Sequence, residues 1–356
     1  MAEASKAAKT KAQTNLTIIQ ITLKERLMET IKLHNLQKEA NRIGIGTWAI
    51  GGWMWGGTDE ATSIKTLRTA FDHGLNLVDT ADVYGFGTSE NIVGKAIREH
   101  GNRDDVILVT KVGVRWDDQH NVKRDASKKY ILQEVEASLK RLDTDYFDVY
   151  MVHWPDPMVS FEETAEAMQK LMDDGKIKSI AVSNHSPQQM DEFRKTAPIH
   201  VNEPPYNLFE REIEDDVLPY CLNNDIKTLT YGALCRGLLS GKMSKDRDFK
   251  GDDLRQMDPK FQPDRYDQYL EAVSKLDEFA RKNYNKTVRD LAVRWVLDKG
   301  ASVALWGLRR PDQVQGIDEV YGWKLEDDAM KEIDRILNET VKNPVGPEFM
   351  APPSRG

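Results

Sequence analysis

A chain of 356 residues has room for one large domain or two ordinary ones, and 40% hydrophobic with 30% charged residues is the balance of a soluble globular protein. A net charge of −8 argues against general nucleic-acid binding. Two cysteines, Cys221 and Cys235, exclude a disulfide framework and fit a reducing, cytoplasmic setting. No apolar run is long enough to span a bilayer as a helix, so no membrane partner is expected.

The first 27 residues read as a flexible extension. MAEASKAAKTKAQ is small, polar and lysine-bearing, and LTIIQITL is too short for a secretory core and lacks a clear cleavage site. Codons for Lys24-Glu25 can form a purine-rich ribosome-binding sequence ahead of Met28, which makes Met28 a candidate start. An intact mass that includes Met1–Leu27 would refute that. Residues 28–356 are expected to form one domain.

Residues 29–41 suggest a hairpin. From Arg42 onward, short apolar runs alternate with amphipathic ones. The expected strands are RIGIG (42–46), LNLVD (75–79), VILVTK (106–111), FDVYMVH (147–153), IKSIAV (177–182), IHVNE (199–203), IKTLTY (226–231) and SVALWG (302–307). Near-continuous apolar runs mark parallel strands buried on both faces. Expected helices follow at 59–74, 89–101, 127–142, 160–175, 186–196, 212–224, 287–300 and 311–322, several ending in glycine and 89–101 with Ser89 as its cap. Eight such units predict an α/β fold, a closed (β/α)8 TIM barrel whose bottom the hairpin plugs; a doubly wound open sheet is the alternative. Residues 232–287 make a long excursion after the seventh strand, and 324–356 add a final helix and a proline-bearing tail.

Catalytic groups of such a barrel sit where strands end at their carboxyl side. There the sequence puts Asp79, Lys111 and His153, with Tyr84 in the loop after the second strand. A lone histidine after a strand is more often structural; four ionisable groups on three consecutive strand ends form a set. An ammonium favours a phenolate, so Lys111 is expected to lower the Tyr84 pKa, and Asp79 to supply the counter-ion. This set suits carbonyl reduction, with Tyr84 as general acid, His153 bonding the same oxygen, and hydride from a cofactor. Lys111 also leaves open a Schiff-base aldolase or isomerase. Seven histidines lack metal-ligand spacing, so no metal is expected. IGIGTWA and GLLSGKM resemble a dinucleotide fingerprint and a P-loop, but the first lacks its strand–turn–helix context and the second is one residue short.

Together GIGTWAIGG, DTADVYGFGTSE, LVTKVG, VYMVHWPDP, IAVSNHS, YNLFERE, YGALCRGLLSGK and ALWGLRRPDQV resemble the aldo-keto reductases over roughly residues 29–350. The resemblance implies a tetrad of Asp79, Tyr84, Lys111 and His153 and an extended NADPH at the carboxyl end of the barrel. It places Thr47 and Trp48 near the nicotinamide ribose, Ser183 and Asn184 on the carboxamide, and Tyr231 under the ring. Gly232, Leu234, Arg236, Gly237 and Lys242 would wrap the pyrophosphate, and Gly307, Arg309 and Gln313 the adenosine phosphate. Arg309 and Arg310 favour NADPH over NADH, which offers no extra phosphate to pair. Glu203 stands where the family usually has Gln. As an acid it is expected to weaken reduced-cofactor binding relative to oxidised; an unchanged affinity ratio in Glu203→Gln would refute this. Trp53, Trp55, Trp116 and Trp154 are candidate walls for a small carbonyl or sugar substrate. Relatives of the fold serve as channel-associated subunits, so a cofactor-sensing protein with slow turnover is the other alternative, and a homo-oligomer stays open.

Overall fold

The computed structural model describes residues 28–101 and 103–355, so the extension expected over 1–27 lies outside the described residues. A hairpin of β1 (Thr30–Lys32) and β2 (Glu39–Asn41) comes first, pairing Thr30 with Asn41. Eight parallel strands then close into a barrel. They are β3 (Ile43–Gly46), β4 (Leu77–Asp79), β5 (Ile107–Val112), β8 (Phe147–Val152), β9 (Ile177–Ser183), β10 (Val201–Glu203), β11 (Lys227–Thr230) and β12 (Val303–Gly307), with β12 pairing back onto β3. All eight runs expected as strands are strands, and the closure rules out the open sheet.

The period-two alternation of a strand explains why the runs are apolar throughout. Leu77, Ile107, Val109, Val149, Met151, Val201, Leu229 and Val303 pack inside the barrel, while Val78, Leu108, Tyr150 and Ile180 face the helical layer. At Gly44 the interior has no room for a side chain: a Cβ there would lie 2.6 Å from Leu77 and 2.8 Å from Leu305. Leu33, Leu36 and Ala40 join the interior cluster from the hairpin, which plugs the bottom as expected. Glu29 fixes it there, accepting from Arg42 at 3.0 Å and Arg294 at 2.6 Å.

Helices return along the outside at Glu60–Asp72, Thr88–His100, Lys128–Leu142, Phe161–Asp173, Pro187–Arg194, Val217–Asn223 and Val288–Asp298. Asp59, Ser127 and Ser160 accept from the third helical amide, and Ser186 with Gln189 closes a full capping box.

Four local features go beyond the expectations or against them. The excursion contains a 22-residue helix, Pro263–Tyr284, opened by a proline at its first position. Residues 311–322 form two 3-10 turns, Pro311–Gln313 and Ile317–Val320, because Gly316 takes φ +83 between them. An antiparallel ribbon, β6 (Val114–Trp116) and β7 (Val122–Arg124), extends β5 above the barrel. Ser89 is not a cap: Gly87 is the N-cap residue and the helix starts at Thr88. Beyond the last helix, Asp327–Thr340, the tail crosses to the ribbon, where Arg355 reaches Asp156 at 2.8 Å and Asp125 at 3.0 Å. Among the described residues no helix is long and apolar enough to cross a membrane.

Candidate active site

The alternation that fills the barrel also builds the site. In β4, Leu77 points inward, so Asp79 does too; in β5, Ile107 and Val109 point inward, so Lys111 follows. The same step carries His153 in after Met151 and Glu203 in after Val201. Four chemically active side chains thereby end on the carboxyl side of the interior, where the apolar layers stop. Asp79 is 3% exposed, Lys111 0% and Glu203 2%.

Lys111 is the hub. Its ammonium donates to Asp79, donates to the Thr80 carbonyl at 3.0 Å, and lies 3.3 Å from Glu203 Oε1. It also sits 5.3 Å from the centre of the Tyr84 ring. The His153 ring meets that of Tyr84 edge-on at 5.7 Å, and Trp48 stacks on the Tyr84 ring at 6.0 Å. Asp79, Lys111, Tyr84 and His153 are thus brought together.

The expected lowering of the Tyr84 pKa is not the net result. Burial pushes the phenol well above its usual range, and the pull of Lys111 is opposed by Asp79 and Glu203. Burial works against the Lys111 charge, but Asp79 and Glu203 outweigh it and hold the ammonium above its ordinary value. Burial and Lys111 together push His153 well below the histidine range, leaving a neutral ring whose Nδ1 has no partner among the described residues. Burial, then Asp79, lifts the Glu203 carboxyl well above the usual carboxylate range.

Beneath these groups lies a polar layer that sequence reasoning missed. Thr47 donates to the Asp79 carbonyl at 2.8 Å, and Ser89 donates to Thr47 while accepting from Thr80. Next to Lys111, Thr110 points outward and donates to Glu90 at 2.7 Å. Arg141 grips Glu90 at 2.6 Å, Ser138 at 2.9 Å, and Glu134. The signal was present in Ser89-Glu90 of the GFGTSE stretch, which reads as an ordinary helix start. Two glycines complete the seating of Tyr84: a Cβ on Gly51 would lie 2.6 Å from the Tyr84 backbone, and one on Gly85 (φ +63) 2.0 Å from the Gly51 carbonyl.

The residues expected at the cofactor fall into two groups. Tyr231 donates to Asn184 at 2.9 Å; Asn184, at φ +59, donates to Ser183 and to the His153 carbonyl; and Ser183 donates to the Glu203 carbonyl at 2.7 Å. This chain rims the barrel beside Lys111. Farther out, Gly232, Leu234 and Gly237 lie on the half-buried loop after β11, Lys242 is exposed, and Gly307 ends β12 with open space beside it. Arg236 differs from the expectation of a phosphate cation. Its guanidinium is buried, bonded to Asp258 at 2.7 Å and to Glu210, which also pairs with Lys260 at 2.8 Å. Arg309 donates to the carbonyls of Trp55 and Gly57, Gln313 accepts from the amides of Arg309 and Arg310, and exposed Arg310 faces Asp312 at 3.1 Å.

Trp53, Trp116 and Trp154 pack with Trp48 against the cluster that contains Tyr84, and Trp55 meets Trp48 edge-on at 5.6 Å. Phe86, absent from the expected walls, joins Trp53 at 4.8 Å and Trp116 at 5.9 Å.

Comparison with known proteins gives one coherent result. Residues 42–338 match the profile of the Aldo/keto reductase family. Aldo-keto reductase YhdN of Bacillus subtilis (strain 168) is 57% identical over 329 residues, covering 92% of this chain and 99% of its own. The solved glycerol dehydrogenase of Gluconobacter oxydans superposes with a TM-score of 0.81 at 48% identity, covering 90% of this chain and 99% of that one. An aldo-keto reductase of Klebsiella pneumoniae, solved in complex with NADPH, gives a TM-score of 0.69 at 28% identity, covering 93% and 100%.

Proposed function

The chain belongs to the aldo/keto reductase family and is an oxidoreductase acting on carbonyls, and from that premise we propose that it reduces small aldehydes, ketones or sugar-derived carbonyls with NADPH, taking the proton from Tyr84. One observation carries this reading: Asp79, Lys111, Tyr84 and His153 converge at the carboxyl ends of three adjacent barrel strands.

The rim fits a nicotinamide. Glu203 offers a buried oxygen with no partner among the described residues, beside the linked amide and hydroxyls of Asn184, Ser183 and Tyr231. Those residues would hold the ring end, Gly232, Leu234, Gly237 and Lys242 the pyrophosphate, and Arg310 with Gln313 the adenosine phosphate. When bound, the cofactor supplies hydride. The protein's own groups do the rest. Tyr84, kept protonated by burial, is a ready donor to the carbonyl oxygen, and a developing phenolate meets the nearby Lys111 charge. Neutral His153 can hydrogen-bond that oxygen without competing for the proton. The aromatic cluster around Tyr84 excludes water and favours a compact substrate; likeness to a glycerol dehydrogenase supports a hydroxylated one. A Schiff-base role for Lys111 is disfavoured, because Asp79, which it grips, keeps it charged and not nucleophilic.

The test is loss of NADPH absorbance with a panel of aldehydes, ketones and sugars, run beside Tyr84→Phe. Turnover that collapses in the variant supports the reading. Tight NADPH binding with no turnover would overturn it in favour of a cofactor sensor.

A further inference from the structure

Lys111 has two buried acids where one would neutralise it. Asp79 from β4 holds its ammonium directly, and Glu203 from β10 lies 3.3 Å away on another side. With both acids ionised the trio would carry a net negative charge in a site that is nearly inaccessible to water. Glu203 Oε2 is buried with no hydrogen-bond partner among the described residues. A proton on one acid removes that excess charge, and an ionised buried oxygen without a donor is costly. Asp79 is the acid that the ammonium grips, while Glu203 lies farther off with one oxygen that no donor among the described residues reaches, so the proton belongs on Glu203.

We propose that Glu203 is an internal proton store: it rests as a carboxylic acid beside Lys111, and returns a proton through Lys111 to Tyr84 after Tyr84 has protonated the substrate oxygen. This rests on Tyr84 being the proton donor. The balance is simple. Tyr84 breaks its O–H bond and the substrate oxygen gains the proton, as the nicotinamide gives hydride to carbon. The phenolate takes a proton from the Lys111 ammonium, and the resulting amine takes one from Glu203. Lys111 and Tyr84 end unchanged, Glu203 ends as a carboxylate, and solvent restores its proton once product leaves. The other titratable groups that face Glu203 are Asp79, Tyr84 and Tyr231; Tyr231 is held protonated by burial. An amide at position 203 could make similar hydrogen bonds but could not surrender a proton.

Two measurements test the proposal. Infrared difference spectra of the ligand-free protein, parent minus Glu203→Gln at neutral pH, should show one carboxylic-acid carbonyl band that shifts in D2O and is lost in the variant. Absence of the band overturns the proposal. Should Glu203→Gln not fold, carboxyl-13C glutamate labelling of the parent must shift the band; an unshifted band overturns it too. In a single turnover followed with a pH indicator, proton uptake from solvent should lag NADPH oxidation by one equivalent in the parent and coincide with it in Glu203→Gln. Simultaneous uptake in both removes the storage role. The infrared arm reads ligand-free protein, so it stays decisive for the acid even where a failed substrate panel defeats the proposed activity.

Discussion

Among the described residues, Arg141 is the one cation paired with the buried carboxylates Glu90 and Glu134 under the Tyr84 loop, and Arg141→Ala is expected to show what that costs. Its guanidinium bonds Glu90, whose side chain is fully buried, and Glu134 on its own helix. Asp82, two residues before Tyr84, is lifted well above the carboxylate range by burial and by the charges of Glu134 and Glu90, against the opposing pull of Arg141. Removing one member of a buried pair costs ~3–5 kcal/mol. Arg141 is 19% exposed, so the lower end, about 3 kcal/mol, applies. The loss should depend on pH. Asp82 and Glu134 have raised folded-state pKa values, so the folded state binds more protons than the unfolded chain, and the stability gained from protonation is present at low pH and lost as pH rises. Deleting Arg141 raises those values further. Urea denaturation should therefore show a larger deficit near pH ~8 than near pH ~5. Arg141→Lys should recover only part, since one ammonium cannot fork between Glu90 and Glu134. A deficit below about 1 kcal/mol, or one independent of pH, would refute a buried network that seats the loop.

Four further outcomes are expected. Tyr84→Phe should lower kcat by about 10²–10⁴-fold with an unchanged melting curve; retained turnover would put the general acid elsewhere. Gly85→Ala should lose about 1–3 kcal/mol and most activity, because its Cβ would press on the Gly51 carbonyl and shift Tyr84; full activity in a stable variant would show the glycine pair is dispensable. Arg310→Ala should weaken NADPH binding by about tenfold, the value of one charge-assisted bond of ~1.5 kcal/mol, and leave NADH affinity alone, as titration calorimetry can measure. His153 is held neutral by burial and Lys111, so kcat/KM should show no limb near pH ~6.5; a limb abolished in His153→Gln would contradict the neutral ring.

The barrel was legible because interior and exterior faces of each strand are both covered, so runs such as VILV and FDVYMV are apolar nearly throughout and recur in eight units. Site residues at strand ends were legible by the same period, which carries Lys111 inward once Val109 is inward. What stayed hidden was set by long-range packing. Arg236 sits in a loop of glycines that suits an anion, yet Glu210 and Asp258, 26 and 22 positions away in sequence, claim its guanidinium. The helix over Pro263–Tyr284 follows a polar loop with no clear cap, since Gln262 makes no side-chain capping bond. Ser89 looked like a cap because its hydroxyl precedes a helix; its partners Thr47 and Thr80 come from two other strand ends.

The direction of the Tyr84 shift follows from the number of charges around Lys111. An isolated ammonium 5.3 Å from the ring centre would favour the phenolate by about 3 kcal/mol at an effective dielectric of ~20, roughly two pKa units. Asp79 lies against that ammonium and cancels most of the field, leaving a dipole in place of a charge. Burial of the phenol then dominates, and Tyr84 keeps its proton. A general acid needs that resting state. A phenolate formed during turnover is re-protonated by transfer from Lys111, and the transfer is cheapest where a second acid can refill the amine. Asp79 alone, already ionised and paired, cannot do this. Glu203, buried beside the same nitrogen and holding a proton, can, so the departure from the family's amide at this position changes the source of the proton that re-forms the phenol while leaving the donor that faces substrate the same.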